Sequence, residues 1–187
     1  MTDRVNLEAV EIGAAWNLRG DPRRAAFVAE AERTIGLALP VGPGATARAA
    51  HDGRNAVLGS VLLSLGPTTW LFVASRREAA PAFDPARKAL NAVRGALFDV
   101  SASYVAWSII GDDAPRVLNC VCPLDLDQRS FPVGHCAQSL LGHVGALFYR
   151  PAASTFIVMA ARSFAADVKR SLHTFADQTS TITHVGA

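Results

Sequence analysis

Lysine is nearly missing from this chain: only Lys88 and Lys169 occur among 187 residues. Neither follows a glycine-rich loop, so the phosphate-gripping lysine of a P-loop is absent and that large class of enzymes is excluded. Charge of either sign is sparse, with 18 Lys+Arg against 16 Asp+Glu and a formal net charge of +2. The pairs Arg23-Arg24 and Arg76-Arg77 do not sit among aromatics that could stack on bases, which argues against a nucleic-acid partner. The three cysteines make an odd count, which argues against a disulfide framework and fits a reducing compartment. No apolar run approaches the roughly 18 residues of a membrane span, and residues 1–8 contain no apolar core for a signal peptide. The expectation is a soluble, cytoplasmic protein without a membrane partner. Half of the residues are apolar and 18% are charged, so general disorder is excluded.

What the chain does have is an echo of itself. Ala15-Trp16-Asn17-Leu18-Arg19-Gly20-Asp21 returns as Ala106-Trp107-Ser108-Ile109-Ile110-Gly111-Asp112, and Thr69-Trp70-Leu71-Phe72-Val73-Ala74 returns as Thr155-Phe156-Ile157-Val158-Met159-Ala160. Both echoes keep their order at a spacing of about ninety residues, the mark of a duplicated unit. The reading is one domain, 1–187, built from two repeats at about 8–96 and 97–177, with a flexible tail over 178–187.

Alternation predicts a strand over 8–18. Asp21-Pro22 predicts a capped helix to residue 35, stopped by Gly36. Residues up to 54 read as loop, followed by a hairpin of strands 56–65 and 69–75. Asp84-Pro85 repeats the cap signal for a helix with Leu90, Val93 and Leu97 on one side. The second repeat predicts a long strand over 97–110, a short helix over 114–121, strands over 135–141, 144–150 and 155–160, and a helix over 163–177. That last helix carries Phe164, Val168, Leu172 and Phe175 as a core stripe. Each repeat therefore reads as α+β, a ferredoxin-like unit of antiparallel sheet with helices.

Candidate chemistry is thin. Cys120, Cys122, His135 and Cys136 are zinc-type ligands, but their spacing departs from Cys-x2-4-Cys, so buried thiols are the favoured reading over a metal site. Gly42-Pro43-Gly44-Ala45-Thr46-Ala47 satisfies a dinucleotide-binding pattern in form, yet Pro43 removes an amide donor and His51-Asp52-Gly53-Arg54 breaks any following helix, so it reads as a loop. The five histidines, 51, 135, 143, 173 and 184, form no HExxH, and no Gly-x-Ser-x-Gly elbow occurs. Asp125 and Asp127 read as turn residues rather than a catalytic pair. Asp99, at an apolar strand, needs a donor, with backbone or Ser101 the expected partner.

Asp99-Val100-Ser101, Ile110-Gly111-Asp112-Asp113-Ala114 and Val117-Leu118 resemble a stretch of the glycine-cleavage T-protein and YgfZ-like superfamily. Cys122-Pro123-Leu124-Asp125-Leu126, Phe131-Pro132, Gly134, Ala137-Gln138 and Arg162-Ser163-Phe164-Ala165 resemble, more specifically, the gamma subunits of heterotetrameric sarcosine oxidases. The resemblance covers residues 97–177 well and 8–96 more loosely. It implies the T-protein/YgfZ-like folate-binding fold and a bacterial complex of alpha, beta, gamma and delta subunits that oxidatively demethylates sarcosine to glycine. It also implies FAD, FMN, NAD and tetrahydrofolate on the large partners, zinc on delta, and no cofactor, metal or catalytic residue on this chain. T-proteins carry an Asp and an Asn where this sequence has Gly145 and Ala160, so the expected base of a folate-dependent transfer is missing. The alternatives are a stand-alone folate-binding or one-carbon-transfer protein, and a subunit of a related N-methyl amino-acid dehydrogenase.

Overall fold

A computed structural model describes residues 5–49 and 57–182, with side chains through residue 174. In chain order the elements are β1 (Asn6–Val10), β2 (Ala14–Arg19), α1 (Ala25–Ile35), β3 (Thr46–Arg48), β4 (Ser60–Gly66), β5 (Thr69–Ala74), α2 (Phe83–Ala92), β6 (Ala96–Asp99), β7 (Tyr104–Ile110), α3 (Ala114–Asn119), β8 (Cys136–Leu141), β9 (Val144–Ala152), β10 (Thr155–Ala161) and α4 (Ala165–Ile182). They form two five-stranded sheets, ordered β3-β4-β5-β2-β6 and β1-β7-β10-β9-β8. The fold is α+β, as the residue pattern predicts. Without the edge strands β3 and β8, the orders β4-β5-β2-β6 and β9-β10-β7-β1 are the same ferredoxin-like arrangement twice.

The chain divides into two compact units, one of residues 11–104 and one of the N-terminal strand with everything after residue 104. The sequence repeats are cut differently. The order β1-β2-α1-β3-β4-β5-α2 recurs as β6-β7-α3-β8-β9-β10-α4, yet the first strand of each repeat joins the sheet of the other. β1 pairs antiparallel with β7, setting Ala9 opposite Trp107, and β6 pairs antiparallel with β2, setting Asp99 opposite Trp16.

The two long strands expected from alternation, 8–18 and 97–110, are therefore each broken into two, for local reasons. At Gly13 a Cβ would lie 2.3 Å from the Arg77 nitrogen, so this close approach of backbone to backbone admits only glycine. At residues 99–101 the Asp99 carboxylate accepts the Ser101 amide at 2.9 Å, a side-chain turn that ends β6.

In the unit of residues 11–104, α1 and α2 cover one face of the sheet. Its core holds Trp16, Leu18, Phe27, Trp70, Phe72, Leu90 and Leu97. Trp16 packs on Phe72 and Phe83 at centroid distances of 5.2 and 5.4 Å, and Phe27 on Trp70 at 5.9 Å. Gly20 is needed because any Cβ there would strike the Phe27 ring at 2.1 Å. Helix α1 starts later than expected: Asp21 folds back to accept the Arg23 amide and guanidinium, and the helix opens at Ala25. Asp84 likewise lies inside the first turn of α2 rather than capping it. Gly36 does end α1, in the left-handed region at φ 76°, with its amide on the Glu32 carbonyl. Val93 caps α2, and Leu97 belongs to β6 rather than to the expected helix stripe.

In the other unit the core holds Trp107, Ile109, Leu118, Leu126, Phe131, Phe148, Phe156, Val158, Val168 and Leu172. Phe164 departs from the expected stripe: it lies in a short 3-10 turn ahead of α4 and is 44% exposed. Helix α4 runs to Ile182, so the part of the expected tail over 178–182 is helical, and residues 183–187 lie outside the described residues.

Candidate functional site

Between α3 and β8 the chain runs about fifteen residues without regular structure, long enough to suggest a functional loop. Leu126 and Phe131 are its buried anchors. Its polar atoms are tied locally: the Asp125 carboxylate accepts the Asp127 amide at 3.0 Å and the Ser130 hydroxyl, and the Asp127 carboxylate accepts the Arg129 amide at 3.0 Å. The Ser130 hydroxyl and the Asp127 amide hold the Asp125 carboxyl below the usual carboxylate range, so it remains an anion.

The loop closes on Pro132-Val133-Gly134-His135. The His135 amide donates to the Pro132 carbonyl at 3.2 Å, and Gly134 takes φ 83°, the positive value that the third position of a type II turn demands. The Gly134 amide donates to the Arg150 carbonyl at 2.8 Å and the Arg150 amide to the His135 carbonyl at 3.0 Å, so two residues oppose one in a bulge that starts β8. Val133 stands at the exposed corner.

Arg150, on β9, organises this loop. It is 3% exposed. Its Nη1 donates to the carbonyls of Leu126 at 3.3 Å and Phe131 at 2.9 Å, while Nε and Nη2 both donate to the Ala153 carbonyl. The guanidinium lies 4.9 Å from the centre of the Phe156 ring, which stacks on Phe131. Burial pulls the guanidinium below its ordinary pKa, Asp127 partly opposing, but arginine stays charged at any physiological pH. A buried cation is thus stabilised by carbonyl dipoles and a ring face, and in return fixes the loop at two points, Leu126 and Phe131, and the β9–β10 turn at Ala153. Sequence reasoning missed this residue. The available signal was an arginine ending an apolar strand directly before Pro151.

A second polar knot lies in the unit of residues 11–104, at the end of β6. The Asp99 carboxylate accepts the Ser101 amide and hydroxyl and lies 3.7 Å from Arg77. Ser101 in turn accepts the Ala15 amide at 2.9 Å through its hydroxyl oxygen, and the Val100 amide donates to the Ala15 carbonyl at 2.9 Å. Partial burial raises the Asp99 pKa, but Ser101 and Arg77 outweigh it and the carboxyl ends below its ordinary value. The expected Ser101 partnership of Asp99 is present.

The cysteines separate. Cys120 is exposed at the end of α3 with its thiol on the Arg116 carbonyl, whereas Cys122 and Cys136 are buried. Burial pushes the Cys122 thiol up, against the thiolate a metal or nucleophile needs. Among the described residues no three His, Cys, Asp or Glu side chains gather as a metal would require. The Gly42–Ala47 stretch leads into strand β3, not into a helix N-terminus, so the backbone amides that would hold a pyrophosphate are not aligned there. His51 and His184 lie outside the described residues. Gly145 sits on β9 beside Ala146, the register partner of Ala160. A Cβ at Gly145 would meet open space.

No helix among the described residues is long and apolar enough to cross a membrane. No protein-family model matches the chain. Among characterised proteins, it is 29% identical over 160 residues to the sarcosine oxidase gamma subunit of Corynebacterium sp. (strain P-1), covering 86% of this chain and 74% of that protein. It is 28% identical over 155 residues to the sarcosine oxidase gamma subunit of an Arthrobacter species. Among solved structures, a chain of the heterotetrameric sarcosine oxidase from Corynebacterium sp. U-96 superposes with a TM-score of 0.82 at 25% identity, over 93% of this chain and 84% of that one. The glycine-cleavage aminomethyltransferase T of Bartonella henselae shares the fold at 13% identity and a TM-score of 0.56, over 45% of its own length. In sequence the chain is similar to sarcosine oxidase gamma subunits, and in fold to a chain of the heterotetrameric enzyme.

Proposed function

We propose that this chain is the small gamma subunit of a heterotetrameric sarcosine oxidase, and that it supports assembly without taking part in the oxidation of sarcosine to glycine. The agreement in fold over nearly the whole chain with a heterotetrameric sarcosine oxidase carries the reading. The partners are alpha, beta and delta chains. FAD, FMN, NAD and tetrahydrofolate belong to the large ones and zinc to delta.

The polar groups described above support a structural role. Arg150 is occupied by carbonyls, Asp125 and Asp127 by turn amides, and Asp99 by Ser101 and Arg77. Large apolar side chains stand exposed in each unit: Val41 and Phe98 in the first, and Val133, Leu140 and Phe164 in the second. Such side chains suit the centre of a protein interface better than water. The test is an affinity pull-down of the tagged chain expressed with its neighbouring genes, followed by mass spectrometry and a visible spectrum. A yellow eluate with much larger chains is expected. A colourless, solitary chain would overturn the reading and make folate binding by this chain the next question.

A further inference from the structure

Residues 1–94 and 95–187 carry the same succession of elements, and each half lends its first strand to the other. Asn6–Val10 pairs with Ile110–Ala106 across one boundary, and Trp16–Arg19 pairs with Asp99–Ala96 across the other. Both ladders are antiparallel, both place the lent strand at the edge of the receiving sheet, and both join equivalent positions of the two repeats. This reciprocity is that of two molecules exchanging arms, here within one chain.

The covalent link between the halves is slight by comparison. Val93, Arg94 and Gly95 form a single turn between α2 and β6, with the Val93 and Gly95 amides on the Leu90 carbonyl and the Arg94 amide on that of Asn91. Arg94 is exposed and holds φ 63°, in the left-handed region that a non-glycine residue enters at a cost. By contrast, the lent strands are locked at their roots. Gly13 donates its amide to the Ala74 carbonyl at 2.9 Å, which fastens the β1–β2 passage to its own half, and Ala15 is bonded to both Val100 and Ser101, which fastens the β6–β7 passage to the opposite half.

We infer that the edge of β2 covered by β6 and the edge of β7 covered by β1 are docking surfaces whose partner is the first strand of the other half, and that this exchange holds the two halves together without the 93–95 link. Each edge accepts one antiparallel strand. For β2 the acceptor residues are Trp16 to Arg19, and for β7 they are Ala106 to Ile110. The chain then behaves as a dimer of half-chains that happens to be covalently joined. A break in that one turn leaves the fold standing.

The experiment uses the full chain with a specific protease site inserted between Val93 and Arg94, folded first and cut afterwards. Gel filtration of the cut protein over a hundredfold dilution is expected to give one peak at the position of the intact chain, containing both fragments, with an unchanged far-UV circular dichroism spectrum. Separate elution of the fragments, or loss of the spectrum on cutting, would overturn the inference. A second variant guards against an insertion that blocks folding. This permuted chain begins at Gly95 and joins residue 187 to residue 1 through a long Gly/Ser linker. It is expected to match the intact chain in elution and spectrum, and an unfolded permutant alongside a failed insertion contradicts the inference. Neither readout involves the large subunits, so the result stands apart from the proposed role in sarcosine oxidase.

Discussion

Replacing Arg150 by methionine, which keeps an unbranched stem but removes the guanidinium, strips two buried carbonyls, those of Leu126 and Phe131, of their donor. Each buried carbonyl left without a partner costs about 1–3 kcal/mol, which sets the gross loss at about 2–6 kcal/mol. Relief from burying a cation returns part of this, and loss of the Phe156 contact, at 4.9 Å, subtracts again. The expected destabilisation is about 3 kcal/mol, a large fraction of the roughly 5–15 kcal/mol that holds a domain. Urea denaturation measures it through the midpoint at constant slope. Hydrogen exchange supplies the location, because faster exchange should concentrate in residues 121–135 rather than spread through β9 and β10. Arg150→Lys should fall between, since one ammonium cannot reach carbonyls on three sides. A methionine variant within 0.5 kcal/mol of the parent, with the loop amides still protected, would refute the clamp.

Truncation of Trp16 or Trp107 to alanine should cost about 3–5 kcal/mol, as for a core aromatic, and a loss of sarcosine turnover without any loss of stability would contradict this. Trp70→Phe should be costlier than Trp16→Phe by about 1 kcal/mol, because the Trp70 indole donates to the Pro40 carbonyl at 2.8 Å while that of Trp16 has no hydrogen-bond partner among the described residues. Thermal or urea unfolding compares the pair, and equal costs would count against the assignment. Asp99 has a lowered pKa in the folded chain, so its contribution is present above the ordinary carboxylate range and disappears as pH falls through the folded value. The stability gap between the parent and Asp99→Asn should therefore narrow below about pH 4, and a gap constant from about pH 3 to 7 would refute it. Asp125→Asn and Asp127→Asn should leave the turnover of the assembled oxidase nearly unchanged, and a hundredfold drop with assembly intact would overturn the non-catalytic reading.

Much of the fold can be read from residue order alone because the echo of Trp16 in Trp107 marks true equivalents, the second strands β2 and β7. The exchange of first strands is hidden for a physical reason. Alternation of apolar residues runs through residues 8–18 as though the strand were continuous, and only the packing of Arg76 and Arg77 against Gly13 makes the break there. The helix starts failed where an aspartate had two local choices. Asp21 bonds Arg23 in a turn instead of capping α1, and nothing in Asp21-Pro22 itself distinguishes the two. Asp99 was legible because its partner Ser101 is two residues away. Arg150 was not, because its acceptors at 126 and 131 are brought to it only by the folded loop, and charge in a strand reads first as exposure.

The most direct test of the account is the native mass of the sarcosine-oxidising assembly purified through a tag on this chain. The predicted result is one copy of this chain with one copy each of three different partners, in a yellow complex that oxidises sarcosine. Recovery of this chain alone, or only with further copies of itself, would contradict it.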